Sequence, residues 1–347
     1  MNWKVRFVIA VGFINFEFWN PVNYLHLTAS AGDTSAARIY AVFFITIGLL
    51  ELPSGLIADI IGHKKSCWIG SVMCAAFPVL IIFSTTGWSY LAGMLLLAAG
   101  TSLISGADRA FLFENLERTK GSSSYLQWAA RTSFVAFASL ATATFVGGLL
   151  YSWLPVAPYG GYLLVSALAV VLFGTLPAGD RQFVTVRQSV DHVGSLLTGA
   201  MLQLKRWWLR PIVFSMACIE GLAYSTFVYS QLAIVEGGLS VASLGLILGG
   251  VELVNACISF IVSRLHSYVL KMRYFIFCVT VTFLCFAIFF YVESVLRLFP
   301  FYLGMASAMF VKLCGEAMVQ GEIDGGGRAT VLSWINTLGT IFGDLYT

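Results

Sequence analysis

Apolar residues fall along this chain in long blocks separated by short polar breaks, without the two-residue alternation of a half-buried strand. Each block runs for about 18 to 25 residues, the length a helix needs to cross a hydrocarbon layer of about 30 Å. Backbone in lipid has no water to bond, so a span of this composition satisfies itself as a helix. The blocks predict membrane helices over 7–27, 36–60, 66–83, 88–112, 128–151, 159–176, 211–235, 241–264, 272–291, 299–318 and 329–346. The expected fold is all-α and integral to a membrane.

Composition agrees: 59% of residues are hydrophobic and 11% charged, against about half and about a quarter in soluble domains. The net charge of +3 does not call for a nucleic-acid partner, because the basic residues sit in short clusters between apolar blocks. With loops assigned alternately to two sides, one side holds Lys4, Arg6, Lys64, Lys65, Arg118, Lys120, Arg181, Arg187, Lys205, Arg206, Arg210, Arg264, Lys271, Arg273 and Arg328. The other holds only Arg38 and Arg297. This bias predicts a multi-pass protein of the cytoplasmic (inner) membrane with a cytoplasmic amino terminus. Lys4 and Arg6 before an apolar stretch also suggest a signal peptide, but Glu17, Asn20, Pro21 and Asn23 interrupt the apolar core such a peptide needs. The longest connection, 177–210, lies on the basic side; Val190 to Leu204 is expected as a surface helix and Lys205 to Arg210 as an interfacial anchor. It divides the chain into an N-terminal six-helix bundle, 1–176, a cytoplasmic linker, 177–210, and a C-terminal five-helix bundle, 211–347.

Shifting the chain on itself by 201 to 203 positions pairs residues that composition alone would not. Gly48-Leu49-Leu50-Glu51-Leu52 falls on Gly249-Gly250-Val251-Glu252-Leu253, Arg109 on Lys312, and Glu114 beside Glu316, while Glu17 lies close to Glu220. Charges inside membrane spans are rare enough that several pairs in register carry weight. Two pseudo-symmetric helical bundles follow (6 + 5 transmembrane helices), and transporters built of such halves bind substrate near the bilayer midplane.

The connection Gly55-Leu56-Ile57-Ala58-Asp59-Ile60-Ile61-Gly62-His63-Lys64-Lys65 resembles the signature of the major facilitator superfamily between its second and third helices. Glu51-Leu52-Pro53-Ser54-Gly55, the fourth-span stretch Ser105 to Leu116, and Arg328-Ala329-Thr330-Val331-Leu332-Ser333 are similar to a bacterial branch of that superfamily, and the likeness covers essentially the whole chain. It implies a major-facilitator-like fold and alternating-access transport. It also implies a gate at Gly55, Asp59, Gly62, Lys64 and Lys65, with the glycines allowing close approach and Asp59 capping the last span near Arg328. The sequence departs from the family at Ile60 and His63, where basic residues are usual, and at Arg109, where a carboxylate is usual. Twelve helices are expected of the family, and the chain closes after the eleventh.

Glu17 lies eleven residues past Arg6, and Glu220 ten past Arg210, which puts each carboxylate about 15 Å from the basic interface. An ionised, unpaired carboxylate there costs several kcal/mol. Each is therefore a candidate for carrying a coupling proton or holding a cationic substrate, with Asn20, Asn23 and Tyr224 beside them; the same groups equally serve as hydrogen-bonded ties between helices. Asp108, Arg109, Glu114 and Arg131 gather toward the basic ends of the fourth and fifth spans, and Lys312 and Glu316 share one face of the tenth. They read as gating ion pairs or as static ties.

No GxxxxGK[ST] motif supports ATP-driven pumping. The four histidines, the seven cysteines without a CxxC pair, and the lack of a Ser/His/Asp set point to no metal, no cofactor and no enzyme. The expected partners are protons and a small-molecule substrate, with the lipid bilayer around them. The function expected is secondary active transport, with the resemblance implying proton-coupled export of an amphipathic or cationic compound. Proton-coupled uptake of a small metabolite, and a non-transporting scaffold or truncated remnant, are the alternatives.

Overall fold

The computed structural model describes residues 2–84, 86–105, 107–118, 125–177, 209–264, 272–292 and 294–322. Among them the chain is helical, with two short 3-10 segments and no strand. Nine helices among the described residues are long and apolar enough to cross a membrane. The predicted span 329–346, the predicted surface helix 190–204 and most of the linker lie outside the described residues.

The helices are α1 (Trp3–Ile14), α2 (Asn23–Ala31), α3 (Asp33–Ile61), α4 (His63–Ile82), α5 (Gly87–Ile104), α6 (Ala107–Arg118), α7 (Tyr125–Trp153) and α8 (Ala157–Gly174), then α9 (Leu209–Glu236), α10 (Val241–Arg264), α11 (Met272–Tyr291) and α12 (Leu298–Glu322). Two single spans expected from the sequence are interrupted. The first breaks into α1, a 3-10 turn at Asn20–Val22, and α2; the fourth breaks after Ile104, where Ser105 leaves the helical region, and resumes as α6.

Local chemistry sets several ends. Gly62, at φ +94°, turns α3 directly into α4, a conformation only glycine adopts without strain. A reciprocal capping box between Thr86 and Ser89 starts α5. Pro158 occupies the first turn of α8, where a missing N–H costs nothing.

The chain divides into two compact units, residues 1–190 with 241–246, and 191–240 with 247–347. In the first, α4 crosses α5 so closely that a Cβ on Gly70 would lie 2.6 Å from the Gly100 carbonyl oxygen. Phe7 packs on Phe111 and Phe173, tying α1 to α6 and α8. In the second, Ile212, Met216 and Ile219 of α9 pack with Phe275 of α11 and Val311 and Cys314 of α12.

Candidate functional site

The break in the first span carries Glu17. The twelve residues of α1 rise about 18 Å, so the helix stops near the middle of a bilayer. Pro21 opens the 3-10 turn without an N–H to continue a helix. The Asn15 amide donates to the Val11 carbonyl at 2.8 Å, satisfying an acceptor near the helix end.

Irregular backbone at this depth persists only where protein covers it. Here α7 and α8 do so: a Cβ on Gly147 would run into the Phe18 carbonyl, and one on Gly161 would meet the Phe18 ring at 3.1 Å. Trp19 is buried edge-on to Phe77 and Tyr162, and Phe16 stacks on Phe18 at 5.6 Å. Glu17 is half-buried, within electrostatic reach of Cys74 and Tyr162. Asn20 is half-buried in the turn itself. A half-buried carboxyl on an interrupted helix is equipped to exchange a proton or to face a cation.

Asn23, at the start of α2, is fully buried. Its Nδ2 donates to the Tyr40 hydroxyl at 2.8 Å and faces the Met94 sulfur at 3.5 Å, while the Tyr159 hydroxyl donates to its Oδ1 at 2.8 Å. One helical turn on, His26 continues the network: Nδ1 is 3.3 Å from the Tyr151 hydroxyl and Nε2 3.4 Å from that of Tyr90. Sequence reasoning passed over His26, although its three-residue spacing from Asn23 on a helix places both on one face.

In the second unit, Glu220 of α9 meets Lys312 of α12, with Nζ to Oε1 at 2.5 Å. Tyr224, a turn beyond Glu220, is exposed. The side chain of Glu316 lies outside the described residues.

At the basic end of the first unit, His63 stands between two carboxylates, with Nε2 3.3 Å from Asp59 and Nδ1 2.8 Å from Glu114. Ionised carboxylates only accept hydrogen bonds, so an imidazolium, with a donor on each nitrogen, fits this position fully. The histidine thus stands where the family pattern has a fixed cation. The Lys64 ammonium donates to the Leu176 carbonyl, and the Arg6 guanidinium to that of Thr175 at 2.8 Å, both capping the end of α8. Lys65 is exposed.

Arg109 reaches Ser133 at 2.8 Å and Asp108 at 3.9 Å, whereas Arg131 lies over the Trp128 ring. Arg109 thus ties the fourth span to the fifth through Ser133, while Arg131 stacks on Trp128 within the fifth. Gly62 has the backbone only glycine adopts easily, but a Cβ on Gly55 would meet nothing within 4 Å, so the expected close approach at Gly55 is not present among the described residues. The predicted contact of Asp59 with the segment at Arg328 also lies outside them. Among the described residues, no three His, Cys, Asp or Glu side chains gather as metal ligands.

A family model described as Major Facilitator Superfamily matches residues 5–343. An uncharacterized MFS-type transporter of Schizosaccharomyces pombe is 22% identical over 226 residues, which cover 60% of this chain but only 43% of that protein. Among solved structures, the nucleoside transporter NupG superposes with a TM-score of 0.76 at 16% identity, over 100% of this chain and 90% of that one. A D-xylose-proton symporter gives 0.76 at 13% identity over 99% and 88%. The peptide transporter POT in complex with sulfate gives 0.75 at 8% over 99% and 87%. At these identities the structural likeness is one of fold.

Proposed function

The chain belongs to the Major Facilitator Superfamily, and from that premise we propose that it is a secondary active transporter, moving a small molecule across the membrane by alternating access with protons as the coupling ion. The observation that carries this reading is Glu17, a half-buried carboxyl on an interrupted helix near the expected midplane, with Phe16, Phe18 and Trp19 as its neighbours along the chain. A partly buried carboxyl at this depth exchanges its proton against the charge of a passing substrate, because an ionised carboxylate is costly away from water. Glu220 enters the same cycle through Lys312: with the carboxylate ionised, the ammonium is its counter-charge, and protonation releases that ammonium. The aromatic neighbours favour an amphipathic or cationic compound, and the direction proposed is export.

The test is proton movement in proteoliposomes with an imposed pH gradient, read during addition of a panel of cationic, neutral and anionic compounds. At least one cationic or amphipathic compound is expected to drive a pH change, and Glu17→Gln to abolish it while the protein remains folded. An undiminished response in Glu17→Gln removes Glu17 from the coupling site. Silence across the panel with folded protein counts against transport itself.

A further inference from the structure

The first turns of α1 and the basic end of α7 flank an open groove of about 510 Å³ whose lining includes Arg131 and Trp128, the stacked pair described above. Val5, Val8 and Ile9 of α1 form one wall and Phe134 and Val135 of α7 the other, so the interior is apolar. The mouth is different. Trp128 and Arg131 stand there, the guanidinium 4.9 Å from the indole centre, and the Lys4 ammonium approaches the same ring at 5.6 Å. Lys4 also lies 5.9 Å from the ring of Trp3. Among the described residues, no carboxylate lines the groove.

Depth gives this arrangement its meaning. Arg131 opens the apolar stretch Arg131–Trp153, and Lys4 sits in the first turn of α1 immediately before its apolar residues. Both cations therefore lie at the edge of the hydrocarbon layer, the level of lipid phosphates, flanked by two tryptophans of the kind that settle at that interface. Cation–π contact with Trp128 holds both side chains above the groove instead of leaving them extended into water.

An apolar groove at this level accommodates an acyl chain, and two fixed cations at its mouth accommodate a phosphate with a net negative charge. We infer that the α1–α7 groove binds an anionic phospholipid from the leaflet on the amino-terminal side of the membrane, with Lys4 and Arg131 on the headgroup and Val5, Ile9 and Phe134 along a chain. Charge complementarity decides between occupants. A zwitterionic headgroup brings its own cation against Arg131 and Lys4, and a free anion leaves the apolar walls uncovered.

The test is native mass spectrometry of the intact protein in detergent, titrated with phosphatidylglycerol, phosphatidylcholine and inorganic phosphate. Phosphatidylglycerol is expected to bind more tightly than phosphatidylcholine, and Lys4→Gln and Arg131→Gln each to weaken it by about fivefold, the worth of one interfacial cation. Arg131→Lys should retain most of the binding. Val5→Trp, which fills the groove without touching a charge, should weaken it and so keeps the inference testable if Arg131→Gln misfolds. Equal affinity for the two lipids, or unchanged binding in both Lys4→Gln and Val5→Trp, would overturn the inference. Displacement of phosphatidylglycerol by inorganic phosphate at comparable concentration would also overturn it, marking a site for soluble anions.

Discussion

Asn23 shows what a single polar residue does where water is absent. It is fully buried, with two hydroxyls and a thioether around its amide. Replacing it by leucine keeps the branching at Cγ but takes away the acceptor of the buried Tyr159 hydroxyl, a loss of about 1–3 kcal/mol. Asn23→Leu should therefore unfold at a lower temperature than the parent protein in a thermal scan, and Tyr159→Phe, which removes the donor with its need, should be milder. An Asn23→Leu protein as stable as the parent would mean that the network contributes nothing. Glu220 and Lys312 allow a sharper measurement, because each neutralises the other. Lys312→Met strands a partly buried carboxylate and is expected to cost about 1–3 kcal/mol, while adding Glu220→Gln should recover much of that. Strict additivity of the two changes would show that the pair is not coupled. Both carboxylates were legible in the sequence because a charge inside an apolar block stands out. Their partners were not: Lys312 lies 92 positions from Glu220, and which faces of two helices meet depends on rotations that hydropathy does not encode. His63 was visible as a departure from the family pattern, but its place between Asp59 and Glu114 emerges only when α3, α4 and α6 converge.

Most helix positions follow from the apolar blocks to within a few residues, since length and hydropathy alone decide whether a segment crosses a bilayer. The interrupted first span is the instructive failure. Phe16, Phe18 and Trp19 set large apolar side chains around Glu17, so the block reads as continuous although the helix stops at Ile14. The signal for the break is local and polar: Asn15, Asn20 and Pro21 each weaken a helix, and together they end one. What stabilises the break lies far along the chain, at glycines in α7 and α8. Gly147 leaves room for the Phe18 carbonyl, which a methyl group would displace. Gly147→Ala is accordingly expected to destabilise the protein by about 1–3 kcal/mol and to impair any Glu17-dependent proton response, because the backbone that positions Glu17 must move. Gly160→Ala, in the neighbouring helix with open space where the methyl would go, is the matched control. Equal behaviour of the two variants in thermal unfolding would separate the break from its glycine contact.

Across the whole molecule, the surface reports the solvent. On α8, Leu164, Leu168 and Val171 are 70%, 51% and 62% exposed along one helical face, an arrangement that water would penalise and hydrocarbon does not. The ends of the spans carry a different signature. Phe83 closes α4, Trp88 opens α5, Trp153 closes α7 and Tyr291 closes α11, and all four are at least 78% exposed. Aromatic rings exposed at helix ends belong at the membrane–water interface. Within the first unit, Phe83, Trp88 and Trp153 stand at helix ends away from the connection that carries Lys64 and Lys65, so basic residues concentrate at one interface of that unit. Lys and Arg flanking short loops are retained on the cytoplasmic side during insertion, whereas aromatic residues cross freely. This asymmetry predicts an amino terminus in the cytoplasm and the connection between α4 and α5 outside. Alkaline phosphatase, active only outside the cytoplasm, should therefore be active when fused after Ser84 in a bacterial inner membrane and inactive when fused after Lys65. The reverse pattern would mean that the cationic side, with Asp59, His63 and Glu114, faces outward. Replacing Lys64 and Lys65 together by glutamine should weaken the preference and yield mixed activity at the Ser84 fusion, because the orientation signal is a sum over the basic connections and these two residues carry its first large contribution after the amino terminus.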